Sequence, residues 1–572
     1  MAKKFKTLEH KGPLFPAPYE YKGKFFVNGI KLDEFAEDML WHWSVLAEDY
    51  RNDKVFQKNF AATFLKNVPN GCPKTFPEGY EKTIKAMQDE NELIKEAKKL
   101  ANTKEAREAK KLANEKIKAE YGVAMLDGKP QPVQYMLEPE GIYMGRGKCP
   151  VRGMWKWAVI PEDVTINYIG DESKIPQPPK GRRWKAVVQD TNNMATVLFD
   201  VRIGEGYAKK TKGFGFGATS TVKQNSDVEK FEKAQQLAKD WNKIEKWIND
   251  GIAAEKQEAL VAWLILRSGI RVGAEKSETW ENGVVGASTL QVKNVSISSS
   301  DELTLDFIGK DSIKFINTFK APVDVAAFLR KITAAKSPTD KVFDKASAAT
   351  VNAFLAECLP YCTAKLFRTA YGTKLLAEEL QKAPLEKGLP EWKVRSLYDN
   401  ACLVVSTKLN HQKNVAKNYA AQIDKTDETI KKAKESEKAK KEKAKAQIAK
   451  LKKQALACKK RYQGQELKEL LDAIKAKGAK IQEQLEKAEQ RVEKLEANKD
   501  LKKATKNIAL NTAKMNYSSP LIAASLCSDL GVSPDIIYNK TAQKKFYWAF
   551  EDGVVSKTFW KNYPKEKSNV KC

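Results

Sequence analysis

The chain has 572 residues, of which 101 are lysine or arginine and 73 are aspartate or glutamate, so its formal net charge is +28. An excess of this size favours a polyanionic partner, because each phosphate that a cation neutralises releases counterions. The hydrophobic fraction of 42% excludes a wholly disordered chain. The sequence has no CxxC pair, no apolar leader and no apolar run long enough to cross a bilayer, which disfavours a zinc site, secretion and a membrane span.

The first 215 residues fall into three stretches with different sequence patterns. Prolines interrupt residues 1–30, which are expected to be irregular, whereas 31–120 have the apolar stripes and charged faces of helices. Residues 125–215 have the short apolar runs and turn residues of strands. Within them, the glycines beside Arg146 allow the backbone to approach a ligand closely. The glycine-rich run at 213–219 lacks the Lys-Ser/Thr ending of a phosphate loop, so nucleotide binding is disfavoured there.

Residues 223–417 return to helical patterns, which one hairpin interrupts. The stretch LTLDFIGKDSIKFIN alternates apolar and polar residues on both sides of a turn at Gly309–Ser312. Lys310 lies at the tip of this turn and can reach outward. Taken in isolation, a lysine at such a position is ordinarily a solvated turn residue.

Residues 418–505 contain a heptad pattern, in which Leu467, Leu471, Ile474, Gly478, Ile481 and Leu485 recur at alternating steps of four and three. A break at Tyr462–Gln465 predicts two antiparallel helices that form a coiled-coil hairpin. One long dimerising helix is the alternative, because heptads do not fix topology. A small helical module is expected to follow, and the basic residues from Asp552 onward are expected to be less ordered.

The stretch Lys514–Pro520 reads as a helix end that carries a tyrosine and is closed by Ser-Ser-Pro. The chain has three histidines, with neither the spacing of a metal site nor a hydrolase motif around them. Phosphate chemistry without a metal needs fixed cations, a proton donor and an in-line nucleophile. Arginine, lysine and tyrosine can supply these roles.

Seven motifs carry a family resemblance when they are taken together and in order. They are His10–Pro16, Glu138–Gly147, Ile270–Lys276, Phe307–Ile313, Thr363–Thr369, Leu409–Gln412 and Lys514–Tyr517. Over nearly its full length the chain resembles the eukaryotic type IB DNA topoisomerases. The sequence departs from the family pattern at Ala274, at Lys148-Cys149 and after Gln412, and none of these departures removes a catalytic position.

The resemblance implies a mechanism for supercoil relaxation. Tyr517 attacks a DNA phosphodiester and becomes linked to the 3′ phosphate, while Arg271, Arg368 and His411 contact the non-bridging oxygens. Lys310 acts as general acid toward the departing 5′ oxygen. The cut strand then rotates and is religated, with no metal, ATP or other cofactor. The same resemblance implies a DNA-lining set, which consists of Arg146, Lys156, Asp311, Asn410, Thr512 and Asn516.

The resemblance also implies an architecture. The expected fold is multidomain α+β and mainly helical, with a bilobed DNA clamp, a β-containing cap and a helical catalytic core shared with tyrosine recombinases. The expected parts are the cap at 1–222, the catalytic core at 223–417, an antiparallel coiled-coil linker at 418–505 and a C-terminal domain at 506–572. We expect a monomer on double-stranded DNA, located in the nucleus and without membrane association.

Two other functions fit some of these features. A tyrosine recombinase uses a similar clamp and nucleophile, although it needs contacts that assemble two duplexes. A non-catalytic, basic DNA-packaging protein with a coiled coil would share the charge and the heptads. It predicts that Tyr517→Phe changes no activity.

Overall fold

A computed structural model describes residues 4–147, 149–206, 208–273 and 285–568 of the chain. The fold is mainly helical with several small sheets, so the predicted multidomain α+β class is confirmed. The helices are α1 (Glu34–Ser44), α2 (Glu48–Arg51), α3 (Lys54–Phe64), α4 (Glu81–Leu100), α5 (Lys104–Tyr121), α6 (Thr221–Lys239), α7 (Trp241–Ala253), α8 (Gln257–Ser268), α9 (Val323–Thr333), α10 (Ala348–Cys358), α11 (Ala364–Lys382), α12 (Glu391–Lys408), α13 (Tyr419–Arg461), α14 (Gly464–Ala504), α15 (Leu510–Asn516), α16 (Pro520–Leu530), α17 (Lys540–Lys545) and α18 (Phe559–Asn562).

The strands fall where short apolar runs and turn residues alternate in the sequence. They are β1 (Leu8–His10), β2 (Phe26–Val27), β3 (Ile30–Lys31), β4 (Val123–Leu126), β5 (Lys129–Pro132), β6 (Gly141–Ile142), β7 (Trp155–Lys156), β8 (Val164–Asn167), β9 (Ala186–Val188), β10 (Val197–Ile203), β11 (Ala208–Phe214), β12 (Val295–Ile297), β13 (Glu302–Ile308) and β14 (Lys314–Lys320). The predicted helices of 31–120, strands of 125–215 and hairpin around Gly309–Ser312 are confirmed.

The chain divides into two compact units. The first comprises residues 1–228, 273–296 and 304–318, and the second comprises 229–272, 297–303 and 319–572. Four sheets are present among the described residues. Their strand orders are β1-β4-β5, β2-β3, β12-β13-β14 and β6-β7-β10-β8-β9, with β11 also paired to β10.

The first unit is built around aromatic side chains. Helix α1 is capped at its N-terminus by Asp33, whose carboxylate accepts a hydrogen bond from Ala36 N at 2.8 Å. Its apolar stripe packs Trp43 against Phe60, with ring centroids 4.7 Å apart. A second core lies on the six-stranded sheet, where the inward side chains of β8 and β10 are buried. Both cores follow the apolar periodicity of the sequence.

The second unit is organised around the buried helix α8, in which ten of the twelve side chains are buried. This helix ends at Gly269, which adopts the left-handed conformation (φ 65°) that glycine accommodates without strain. Helix α11 is capped at its N-terminus by Thr363, whose hydroxyl accepts a hydrogen bond from Leu366 N at 3.3 Å. Arg271 follows the end of α8, whereas Arg368 lies in the second turn of α11 and is buried.

Helices α13 and α14 pair along their length. The ion pair of Lys434 with Glu496 measures 2.6 Å, and that of Lys441 with Glu489 measures 2.9 Å, so residue numbers rise on one helix as they fall on the other. Ala444 is buried on this seam. The predicted break is confirmed, because α13 ends at Arg461 and α14 begins at Gly464. The chain turns there and does not continue as one long helix.

The expectation that residues from Asp552 onward are less ordered is wrong as far as the described residues extend, to 568. This segment contains α18, and Phe559 and Trp560 are buried. The backbone N–H of Trp560 donates to Ser525 Oγ at 3.1 Å, and its indole N–H donates to Asp529 at 3.2 Å. The aromatic side chains supply enough apolar surface to order a segment whose lysines suggested otherwise.

Within the described part of the chain, no helix is both long enough and apolar enough to cross a membrane.

Candidate active site

Tyr517 caps the C-terminal end of the short helix α15, where its backbone N–H donates to Ala513 O at 3.0 Å. Ser519 and Pro520 then begin α16, so the predicted helix end is confirmed. The hydroxyl of Thr373 donates to Tyr517 O at 3.2 Å and accepts a hydrogen bond from Ser519 N at 3.2 Å. Thr373 is fully buried on α11, so the helical core holds the backbone of the tyrosine on both sides.

Arg368 lies one helical turn and a residue before Thr373 and points its guanidinium at the tyrosine. Its Nη1 donates to Tyr517 Oη at 3.3 Å, and its Nη2 donates to Leu409 O at 2.7 Å. The guanidinium carbon also lies 4.8 Å from the centroid of the tyrosine ring. The planar fork therefore contacts the hydroxyl while a backbone carbonyl fixes its orientation.

His411 contacts both the ring of Tyr517 and the guanidinium of Arg368. It follows α12 after Asn410, which takes up a left-handed conformation with φ 52°. Its ring stacks on that of Tyr517 with centroids 4.9 Å apart and an interplanar angle of 30°. Its Nε2 lies 3.5 Å from Arg368 Nη2 and accepts, because the guanidinium can only donate.

A short backbone ladder joins the histidine segment to the chain that leads into α15. Ala509 N donates to His411 O at 2.7 Å, and Lys413 N donates to Asn507 O at 2.8 Å. The two ends of the paired helices α13 and α14 are thus tied together at the site. His411 and Ala509, which lie about a hundred residues apart in the sequence, are therefore in direct contact.

The electrostatics of the site follow from burial and from two arginines. Burial, together with the charges of Arg368 and Arg271, lowers the pKa of His411 to about 3, so its imidazole is neutral at physiological pH. Burial also lowers the pKa of Arg368, and Arg271 acts in the same direction, while Tyr517 opposes both. Arg368 still remains a cation at neutral pH.

Arg271 is therefore close enough to act on both groups, which agrees with its choice as the first arginine of the set. Arg267, one turn earlier, lies elsewhere, since its guanidinium pairs with Glu245 at 3.4 Å and lies over the ring of Trp263. Residues 274–276 of the same motif, including the departure at Ala274, lie outside the described residues.

Two buried polar atoms of the site have no hydrogen-bond partner among the described residues. They are Nε of Arg368 and Nδ1 of His411. A buried donor without an acceptor costs free energy, which an anion bound against the guanidinium would recover. The site can therefore take up negative charge beside the tyrosine hydroxyl.

The other predicted residues of the second unit lie around this centre. Thr512 and Asn516 are one turn apart on α15, where Asn516 Nδ2 donates to Thr512 O at 3.3 Å. Asn410 Oδ1 accepts a hydrogen bond from Gln412 Nε2 at 2.6 Å. Both contacts fix side chains next to the tyrosine or the histidine in sequence.

The remaining predicted residues belong to the first unit. Lys310 begins a short 3-10 turn at the tip of the β13–β14 hairpin, and Asp311 follows it. Gly147, with φ 54°, is so close to Ser312 of the same turn that an added Cβ would collide with the serine hydroxyl. The loop of Arg146 therefore packs against the turn of Lys310, and its close approach at Gly147 is to the side chain of Ser312. Lys148 lies outside the described residues.

Lys156, on β7, is the last predicted residue of this unit. Its ammonium group pairs with Glu138 at 3.3 Å, and Lys212 pairs with the same carboxylate. Burial raises the pKa of Glu138, but the two lysines outweigh burial and hold it below its usual value. Lys156 is thus neutralised in part within the unit.

Two contributors to the site were missed by sequence reasoning. Thr373 supports the tyrosine backbone, and Asp399 pairs with Lys514 of α15. Lys514 stands in the recognised tyrosine motif, but nothing in the local pattern signals a partner 115 residues away. Thr373 gave no periodic signal either, because residues five apart on a helix do not lie on the same face.

Three ranges of the chain match family models. Residues 219–444 match the family described as "Eukaryotic DNA topoisomerase I, catalytic core", 3–208 match its "DNA binding fragment", and 489–559 match the "C-terminal topoisomerase domain". The chain is 31% identical to DNA topoisomerase 1 of Homo sapiens over 576 residues, which covers 96% of this chain and 71% of the relative. It is 28% identical to that of Caenorhabditis elegans, with 96% and 67% covered, and 30% identical to DNA topoisomerase 1 beta of Arabidopsis thaliana, with 96% and 59% covered.

Proposed function

Because the chain belongs to the eukaryotic DNA topoisomerase I family and is a type IB DNA topoisomerase, we propose that Tyr517 is its nucleophile, with Arg271, Arg368 and His411 as the phosphate clamp. The observation that carries this proposal is the 3.3 Å contact between Arg368 Nη1 and Tyr517 Oη. A guanidinium at this distance favours negative charge on the attacking oxygen and on the phosphate it attacks.

The proposed step is a transesterification. Tyr517 Oη bonds to the phosphorus of a DNA phosphodiester, and the bond from phosphorus to the 5′ oxygen breaks. The phenolic proton leaves to solvent, while Lys310 gives a proton to the departing 5′ oxygen. The tyrosine then carries the 3′ phosphate, and attack by the 5′ hydroxyl reverses every bond change. Because the number of phosphoester bonds is unchanged, the cycle requires no ATP. Arg271, Arg368 and Lys310 supply the positive charge that a metal would otherwise provide.

The three clamp residues have distinct roles in this step. Arg368 keeps one contact to Leu409 O, so its orientation is fixed before the phosphate arrives. His411 is neutral, since its pKa is lowered to about 3, and it offers a hydrogen bond without adding charge. Arg271 adds the second positive charge. Together they stabilise the charge that builds on the non-bridging oxygens of the transition state.

DNA is the partner that the family gives this chain. We further propose that Arg146, Lys156, Asp311, Asn410, Thr512 and Asn516 line it near the cleaved step. The cap at 1–222 and the core at 223–417 would act as two lobes of a clamp around double-stranded DNA. The paired helices within 418–505 would be a coiled-coil linker that returns the chain to the C-terminal domain at 506–572. The enzyme would act as a monomer in the nucleus.

The test is relaxation of a supercoiled plasmid in EDTA without ATP. The wild-type protein is expected to relax both positive and negative supercoils, and Tyr517→Phe is expected to lose relaxation while retaining salt-sensitive DNA binding. Tyr547→Phe is the matched control, because Tyr547 is 49% exposed, and it should relax the plasmid as the wild type does. Equal relaxation by Tyr517→Phe and the wild type would reject Tyr517 as the nucleophile.

The same experiment separates the recombinase alternative. A tyrosine recombinase would yield products that join two duplexes, whereas the proposed enzyme changes the linking number of single plasmids. Two plasmids of different size, incubated together at limiting protein, distinguish these outcomes on one gel. Recombinant products would contradict the proposal.

A further inference from the structure

A cavity of about 370 Å³ lies in the first unit, well separated in sequence from the predicted catalytic residues. It is formed by the N-terminal turn of α1, the segment at Pro18-Tyr19 and the chain from β7 to Ala158. Four aromatic residues line it: Tyr19, Phe35 and Trp157 are half-buried, and Trp155 is fully buried behind them. Such a concentration of rings in one cavity on a highly charged protein requires an explanation.

The aromatic walls are held in place by the protein itself. Phe35 stacks on Trp157 with centroids 5.3 Å apart and an interplanar angle of 11°, and meets Trp155 edge-on at 6.0 Å. The indole N–H of Trp157 donates to Gly204 O at 3.0 Å, and the hydroxyl of Tyr19 donates to Glu37 at 3.1 Å. The rings therefore need no ligand to define the cavity.

The charged lining of the cavity is entirely acidic among the described residues. Glu34, Asp38 and Glu140 contribute to its wall, whereas no lysine or arginine does. Asp38 is 5% exposed, and its Oδ1 lies 2.9 Å from His42 Nδ1. The chain has a net charge of +28, whereas the charged side chains of this cavity are negative. The cavity repels DNA phosphate and attracts cations.

We propose that this cavity binds the methylated ammonium group of a lysine side chain on a partner protein. Aromatic faces attract cations through their quadrupole, and carboxylates at the same cavity supply the opposite charge. Methyl groups suit the occupant because six of the nine lining residues are aromatic or apolar. A guanidinium or an unmethylated ammonium fits less well, because its N–H donors lose water where they face the rings, whereas methyl groups have no such donors.

Binding is tested with the full-length protein and short lysine peptides, measured by calorimetry and by tryptophan fluorescence. The probe carries trimethyllysine, and matched peptides carry acetyllysine, unmodified lysine or arginine at the same position. We expect the trimethyllysine peptide to bind at least about tenfold more tightly than the neutral acetyllysine peptide, and more tightly than the other two. Tighter binding of the arginine peptide, or equal binding of the acetyllysine peptide, would overturn the assignment.

Variants locate the binding within the cavity. Glu34→Gln removes an exposed carboxylate of the wall, and Phe35→Leu removes a ring, so each is expected to weaken trimethyllysine binding several-fold. Glu48→Gln is the matched control, because Glu48 is an exposed first-turn glutamate of α2 outside the cavity. Plasmid relaxation should be unchanged in all three. Unaltered peptide binding by Glu34→Gln would reject the site even if Phe35→Leu proved poorly folded.

Discussion

The ammonium group of Lys514 on α15 pairs with the carboxylate of Asp399 on α12, and the two side chains are only 12% and 10% exposed. The ammonium also lies 5.4 Å from the ring centroid of Tyr398. Arg395 reaches the same carboxylate at 3.7 Å from a largely exposed position. This pair ties the helix that ends at Tyr517 to the helix that precedes His411.

Asp399→Asn is expected to lower the free energy of unfolding by about 3 kcal/mol, because it leaves the Lys514 charge nearly buried and without its carboxylate. Urea unfolding of the DNA-free protein measures this loss. Adding Lys514→Gln to the same chain should recover part of the stability. Arg395→Gln serves as the control and should change stability by less than about 1 kcal/mol, since its side chain is exposed. An Asp399→Asn variant with the same free energy of unfolding as the wild type would contradict a stabilising role for the pair.

Arg368→Lys is expected to slow DNA cleavage by about a hundredfold, because a single ammonium cannot replace the fork that contacts Tyr517 Oη and Leu409 O together. Single-turnover cleavage of an oligonucleotide measures the rate, and binding at fixed salt measures affinity. Affinity should change little, since one phosphate contact among many is altered. Equal losses of rate and affinity would assign Arg368 to general DNA binding.

Gly372→Ala is expected to displace the tyrosine. An added Cβ would lie 2.7 Å from Tyr517 O and 3.2 Å from Tyr517 Cβ, so the backbone of the nucleophile must shift. Relaxation should fall strongly while DNA binding persists. Gly478→Ala on α14 is the matched control, because no described heavy atom lies within 4 Å of its Cβ position. That variant should gain about 0.5–1 kcal/mol of stability from helix propensity and retain activity.

The lowered pKa of His411 makes the stability of the folded chain depend on pH. The pKa of His411 is about 3 in the folded chain and near 6.5 when unfolded, so the unfolded state binds the extra proton between these values. Stability is therefore complete above pH 6.5 and falls as the pH drops toward 3, with a limiting slope of about 1.4 kcal/mol per pH unit. Between pH 6.5 and 5, His411→Gln should show a shallower loss than the wild type. Equal slopes would contradict a neutral, buried imidazole.

Parts of the fold and of the site were predictable from local patterns. The heptad repeat of apolar residues predicted the helical pair of α13 and α14. The alternation of apolar and polar residues predicted the β13–β14 hairpin, and Ser-Ser-Pro predicted the end of the helix at Tyr517. Each of these signals lies within a few residues of what it specifies. The recognised motifs then indicated that Arg368 and His411 belong with Tyr517, and the structure brings the three together.

Long-range partners could not be read from the sequence. Asp399 looks like any charged residue of a helix until Lys514 is folded against it. The order of the segment after Asp552 was missed because its lysines outweigh Phe559 and Trp560 in composition, although burial of the rings decides its structure. The order of apolar and polar residues determines local helix and strand patterns. Which charged side chains form ion pairs depends on which helices pack together in the folded chain.

The central claim is that Tyr517 Oη forms the covalent bond to DNA. The most direct measurement is to denature the wild-type protein during reaction with a plasmid, digest the adduct with protease and nuclease, and identify the modified residue by mass spectrometry. The account predicts a nucleotide attached to Tyr517 through its 3′ phosphate, with a free 5′ hydroxyl on the other DNA end and no adduct from Tyr517→Phe. An adduct on another residue, a 5′ linkage, or an adduct that survives in Tyr517→Phe would contradict it.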